Sequence, residues 1–316
     1  VSENLVPPLL AERAFTLREA TALGAGPGVV RRWGLVVPTR SVRVATPPVT
    51  TAERAAVFAL ALPRDAAFSH VTAARLWSLP LPVHLESEGR DLDVMRPTAR
   101  GLVRRAGCHG HRGLESRSVE CVDGLAVTSM VDTWADLAAL GPEAPGVDDL
   151  VVCGDAVLWR LATSAGRRPA WADPAVLHHA VAERAGARGA RALGAAVALV
   201  RPGARSPMET RTRLMFHRAG FPEPELNATV VGSGGWLLEG DLVWRHSRVI
   251  AEYQGAVHAD IRRRSEDAQR RGLAEDEGWT VVEVFAPDVF RAARRVTLLL
   301  RTARAMGLDR RSLRIE

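Results

Sequence analysis

The chain has 316 residues, room for two domains or three, and its 47% hydrophobic and 25% charged side chains exclude a disordered polymer. The net charge is +6 and all 42 basic residues are arginine, a surplus that suits a polyanionic partner although the Ala, Arg, Gly and Pro bias of the chain also feeds it. No apolar run reaches the roughly 20 residues of a membrane helix, and three unevenly spaced cysteines make no disulfide framework. Val1-Ser2-Glu3-Asn4 lacks the basic and apolar stretches of a secretory signal. Together these features predict a cytoplasmic protein with no membrane partner.

In chain order, Thr16 and Glu19 form a capping-box pair that predicts a helix start. Gly24-Ala25-Gly26-Pro27-Gly28 ends that helix, and Val29 to Trp33 reads as a short second one. Residues 34–44 read as two short strands around a turn. Helix, turn, helix and hairpin is the layout of a winged helix-turn-helix, here placed at 1–48. In that layout the second helix enters the major groove with Arg31 and Arg32 near phosphates, and Arg40 or Arg43 sits on the wing.

A middle region, 49–200, is mixed and then helical. Thr51 to Leu62 and Ser69 to Trp77 predict helices, and Asp91 to Met95 alternates like a strand. Cys108-His109-Gly110-His111 looks like half of a metal site, but it lacks a second cluster at finger spacing and reads as a solvated loop. Asp123-Gly124 marks a hairpin between Val119–Val122 and Leu125–Val127. Arg184, Arg188 and Arg191 recur at helical spacing and read as a solvated face. A linker is expected at about 201–206.

From residue 206 to 316 a third region is expected. Ser206-Pro207-Met208-Glu209 combines a cap, a first-turn proline and an acid at the third position. Strands follow at 229–231, 236–238, 240–244 and 248–253, then a polar helix at about 260–277 and a strand at 280–285. Asp241 and Glu252 lie eleven positions apart on adjacent strands, close enough to meet across an antiparallel pair. Glu252 interrupts an apolar strand, so its carboxylate needs an arginine or a cation. Mg²⁺ takes one or two carboxylates with phosphate oxygens and waters, and it supplies Lewis acidity for phosphodiester hydrolysis.

A helix with Glu209, a strand with Asp241, a strand with Glu252-Tyr253-Gln254-Gly255, then His258 and a basic helix resembles the PD-(D/E)XK nuclease superfamily. More narrowly, it resembles a domain of unknown function related to very-short-patch repair (Vsr) endonucleases, common in actinobacterial proteins. The front of the chain is similar to the winged-helix region of AbiEi-type antitoxins. The resemblance implies an α/β (α+β) fold class with a restriction-endonuclease-like mixed sheet flanked by helices. It also implies that Asp241 and Glu252 hold Mg²⁺ (or Mn²⁺), that Glu209 is the helix acid, and that Gln254 and His258 assist. Arg263 and Arg270, on the polar helix, would contact DNA. The superfamily's usual lysine is Gln254 here; an amide is no base near pH 7, though it can position water or donate to a phosphate. Two readings follow. One is a Mg²⁺-dependent DNA endonuclease. The other is a catalytically inert, DNA-binding antitoxin-like or transcriptional regulator, with a cognate toxin or defence partner.

Overall fold

The computed structural model describes residues 6–164, 172–255, 269 and 271–315. His258, Arg263 and Arg270 lie outside the described residues, as does most of the polar helix expected at 260–277; residues 271–276 of that stretch are helical. Among the described residues no helix is long and apolar enough to cross a membrane. The chain is mixed α/β, and it forms two units: Val1–Pro145 with Ala180–Leu193, and Gly146–His179 with Gly194–Glu316. The 1–48, 49–200 and 206–316 division expected from the sequence is a different partition of the chain.

The first unit begins with α1 (Pro8–Ala11), β1 (Phe15–Thr16), α2 (Leu17–Ala22) and α3 (Pro27–Arg32). The capping box is present: Thr16 Oγ1 accepts from Glu19 N and the Glu19 carboxylate accepts from Thr16 N. Pro27 opens α3, two residues earlier than Val29, because its fixed φ suits a first helical position. Leu10, Phe15, Ala20, Ala25 and Val30 bury one face of this helical group. The expected hairpin over 34–44 is reduced. β2 (Val42–Arg43) pairs antiparallel with β1, and Val36 meets Val44 in a single bridge. Pro38, between the arms, has no N–H to extend the ladder.

The rest of this unit packs α4 (Thr51–Ala59), α5 (His70–Leu76) and α6 (Met130–Leu137) on a sheet of β3 (Ala67–Phe68), β4 (Leu92–Arg96), β5 (Cys108–Arg112), β6 (Val119–Val122) and β7 (Leu125–Thr128), in the order β5-β4-β3-β7-β6. Asp123 and Gly124 both take positive φ, 48° and 81°, as the β6–β7 turn demands. Cys108 to His111, expected as a loop, is strand β5, held in parallel register by β4. Arg184, expected on a solvated face, is buried. Its Nη2 donates to Asp132 Oδ1 at 2.8 Å, and Asp136 Oδ1 lies 3.5 Å away. Helical spacing reveals a face; it cannot reveal that α6 supplies two acids to it.

In the second unit α7 (Val147–Ser164) is followed by α8 (Ala175–Glu183) and α9 (Ala190–Val197), whose residues divide between the units. Then come α10 (Pro207–Arg218), β8 (Glu225–Gly232), β9 (Gly235–Trp244), β10 (Val249–Gln254), the helical segment at 271–276, β11 (Thr280–Phe285), α11 (Ala286–Phe290) and α12 (Ala292–Ala305). The strands expected separately at 236–238 and 240–244 are one continuous strand, with Gly240 paired to Ala228. The sheet order is β11-β10-β9-β8; β8–β9 and β9–β10 are antiparallel and β10–β11 parallel. Leu242, Trp244, Val249, Ala251, Val282 and Val284 face a core shared with Met215, Phe216, Leu298 and Leu299. Val243 and Ile250 face the other way, toward Ala274.

A Cβ at Gly240 would lie 2.6 Å from Ile250 Cγ2 and 2.9 Å from Val243 Cγ2. Both contacts are methyls on β-branched side chains that have little room to turn. Gly240→Ala is therefore expected to destabilise the protein by about 1–3 kcal/mol through overpacking, measured by chemical denaturation. A neutral effect would show that the β9–β10 packing described here is wrong.

Candidate functional site

Ser206 caps α10, its Oγ accepting from Glu209 N at 3.2 Å. Glu209 does not reach back to the cap residue. Its carboxylate accepts from Arg205 N at 2.8 Å and from Asn227 Nδ2 at 2.6 Å, and the side chain is buried. Asn227 also donates to the Gly203 carbonyl at 2.8 Å. Sequence reading missed Asn227; a lone asparagine among apolar and β-branched neighbours was the available signal.

Asn227 takes a φ of 44° inside β8, a conformation asparagine tolerates better than most residues. It changes what the neighbouring side chains face. Leu226 packs on the α10 side of the sheet, whereas Ala228, which simple alternation would place beside it, packs on the opposite side. The same switch occurs in β9 between Leu238 and Leu242. Leu226↔Leu242 and Ala228↔Gly240 bracket the position of Asn227 and Asp241, so the two irregularities face each other.

This is where β9 parts from β10. Their pairing runs from Val249↔Trp244 to Ala251↔Leu242, while β10 stays paired to β11 as far as Gln254↔Phe285. Continued by one position, the β9–β10 register would set Asp241 opposite Glu252, where the ladder has already ended. Asp241 Oδ2 accepts from Tyr253 N at 2.8 Å, so a side-chain carboxylate takes the place of a ladder carbonyl. Glu252 and Gln254, two residues apart on β10, are both half-buried.

Burial pushes the Asp241 carboxyl up to about 7, and the charges of Glu209 and Glu252 add to it; the Tyr253 N–H and Arg205 pull the other way. Three acids from three elements thus act on one point, and burial plus like charge outweighs the cation. Arg205 itself is engaged elsewhere, by an ion pair with Glu239 and by the Trp159 ring at 5.6 Å. The donor set is hard oxygen, and Mg²⁺ needs only one or two such carboxylates, so the residues present fit that ion. They are not drawn tightly together: among the described residues, the one group of three ligand-type side chains with all ligand atoms within 4.8 Å is Asp93, His109 and His111.

The linkage has a definite sign. Asp241 titrates near 7 in the folded chain and near its ordinary 3.8 when unfolded, so the folded state holds the extra proton between those values. In the absence of divalent ions, stability should fall as pH rises from about 4 to about 7. Asp241→Asn should flatten that dependence and be more stable than the parent at pH 8. Thermal melts of both proteins in chelator across this range check it, and superimposable pH profiles would contradict it.

Arg31, Arg32 and Arg40 are exposed and Arg43 is half-buried with its Nη1 donating to the Val42 carbonyl. Arg31 and Arg32 occupy the last turn of α3, Arg40 lies within the Thr39–Val42 turn, and Arg43 follows it. That turn is anchored by Arg105, which donates to Thr39 Oγ1 and to the Arg40 carbonyl. Sequence reading did not single out Arg105, whose role depends on a partner 65 residues away.

The chain is similar to an uncharacterized protein of Mycobacterium tuberculosis strain CDC 1551 and to one of strain H37Rv, each 33% identical over 135 residues. The match covers 42% of this chain and 48% of each relative, so the chain spans about half the length of the curated relatives it matches. No family model matches the chain, and no solved structure matches it at a significant level.

Proposed function

We propose that the second unit is a Mg²⁺-dependent phosphodiesterase acting on DNA, with Asp241 and Glu252 as the metal acids and Glu209 supporting them. The observation that carries this reading is the half-buried Asp241 carboxyl, set where β9 and β10 stop pairing and raised to about 7 by burial, with the charges of Glu209 and Glu252 adding to the shift. Neighbouring carboxylates partly withdrawn from water raise one another's pKa, and a divalent cation relieves that repulsion. The helix–three strands–helix–strand order and the mixed sheet with one parallel pair support the PD-(D/E)XK resemblance. Bound Mg²⁺ would supply Lewis acidity toward a phosphate oxygen and a water. The chain's own residues do the rest. Asn227 and the Arg205 N–H fix the Glu209 carboxylate, the Tyr253 N–H orients Asp241, and Gln254 can orient water or donate to a phosphate. The test is nicking of supercoiled plasmid by the pure full chain with Mg²⁺ or Mn²⁺, against Asp241→Ala. Equal inertness of both proteins with every metal would defeat the reading.

Gln254 in place of lysine favours a second reading, a DNA-binding regulator with an inert nuclease fold. The pairing of α2 and α3 with the Val36–Val44 bridge supports a winged-helix arrangement for the first 48 residues. Exposed Arg31, Arg32 and Arg40 are the phosphate contacts of that reading, and a cognate toxin or defence protein would be the partner. Salt-sensitive mobility shifts weakened by Arg31→Ala/Arg32→Ala, without cleavage, would distinguish it.

A further inference from the structure

The first unit holds a second cluster of ligand-type side chains. His109 and His111 are two residues apart on β5, so both project from the same face. The opposite face is closed: a Cβ at Gly110 would lie 2.5 Å from the Val103 carbonyl oxygen. Glycine at 110 therefore lets the Val103 segment cover one side and leaves the histidines on the other. Cys108 shares the Gly110 side and packs against the apolar core.

β4 supplies the third group. Its parallel register sets Asp93 beside His109. Asp93 is buried, 3% exposed, and its backbone N–H is held by Thr72 Oγ1 at 2.8 Å. His111 Nε2 lies 2.8 Å from Asp93 Oδ1. The His111 ring is stacked between His70, centroids 3.7 Å apart, and His109, at 4.7 Å. The ligand atoms of Asp93, His109 and His111 all lie within 4.8 Å of one another, and His109 is exposed to solvent.

We propose that Asp93, His109 and His111 bind a divalent transition-metal ion of the zinc class. Two imidazoles and one carboxylate are the donors such ions prefer, whereas Mg²⁺ prefers oxygen alone. Zinc–ligand distances near 2.0–2.2 Å require the donor atoms to close to roughly 3.3 Å in a tetrahedron. The exposed His109 ring can make that movement, while Asp93 and His111 are fixed by the fold. Three protein ligands leave a coordination position for water or a ligand on the open side. An uncoordinated hydrogen-bonded Asp93–His111 pair is the alternative.

The test is titration of the metal-stripped full chain with Co²⁺, read by its d–d absorption, followed by displacement with Zn²⁺. One saturable equivalent with the strong visible absorption of four-coordinate Co²⁺ is expected, distinct from the weak spectrum of an all-oxygen site at Asp241 and Glu252. His109→Gln and His111→Gln should each weaken it by more than about 100-fold, since even residues that only orient a ligand contribute about 10–100-fold. Cys108→Ser and Asp241→Asn should leave the spectrum unchanged. His109→Gln alters an exposed side chain, so circular dichroism should show an intact fold. Unchanged Co²⁺ affinity in His109→Gln, no saturable absorption in the parent, or loss through Asp241→Asn instead would each overturn the site.

Discussion

Asp241→Ala is expected to reduce the proposed Mg²⁺-dependent DNA cleavage by about 10²–10³-fold without unfolding the protein. The magnitude corresponds to about 3–4 kcal/mol of transition-state stabilisation, the scale of a lost metal-borne charge contact. The reason for choosing Asp241 over Glu252 is structural. Asp241 sits at the paired irregularity of β8 and β9, accepts the Tyr253 N–H, and carries a carboxyl raised to about 7 by burial, with Glu209 and Glu252 adding to the shift. Glu209→Gln should give a smaller loss, because its carboxylate already serves the Arg205 N–H and Asn227 and acts on Asp241 through charge. Plasmid nicking at fixed Mg²⁺ measures both. Equal rates in Asp241→Ala and the parent would assign any cleavage to another site or to a contaminant.

The second large effect concerns the scaffold beneath α10. Arg213 is fully buried, and its Nη2 lies 3.2 Å from Asp155 Oδ2 on α7 and donates to the Leu199 carbonyl at 2.8 Å. Asp155 Oδ1 accepts from Arg201 N at 2.8 Å and Oδ2 from Thr210 Oγ1 at 2.9 Å. Burial pushes the Asp155 carboxyl up to about 6 against the pull of Arg213, so it is ionised above neutral pH. Asp155→Ala at pH 7.5 leaves a guanidinium buried with Glu223 as its remaining acid, 3.2 Å away. A loss of about 3–5 kcal/mol is expected, measured by chemical denaturation. Asp155→Leu combined with Arg213→Met should lose much less than the sum of the single changes, because neither charge is then stranded. A loss under about 1 kcal/mol for Asp155→Ala would show that water reaches Arg213.

Local chemistry was the legible part of this sequence. The Thr16–Glu19 box, the Ser206 cap and the Asp123-Gly124 turn are each set by residues close in the chain, and each is present in the structure. Pairings across long stretches were not legible. Arg184 looked solvated because Asp132 and Asp136 lie about fifty residues earlier. Cys108 to His111 looked like a loop because its strand character comes from β4, and Asp93 could not be joined to the histidines without that register. The same holds for the site acids. Eleven residues of spacing set Asp241 and Glu252 on neighbouring strands, but the change of faces in β8 and β9 beside Asn227 has only a lone asparagine to announce it.

The acid site itself is most directly tested by soaking crystals of the full chain in Mn²⁺ at pH 8 and recording anomalous scattering. The proposed assignment predicts a peak in contact with the Asp241 and Glu252 carboxylates that is absent from Asp241→Asn crystals. Density for the Arg205 guanidinium between those two acids, with no peak at saturating Mn²⁺, would contradict it.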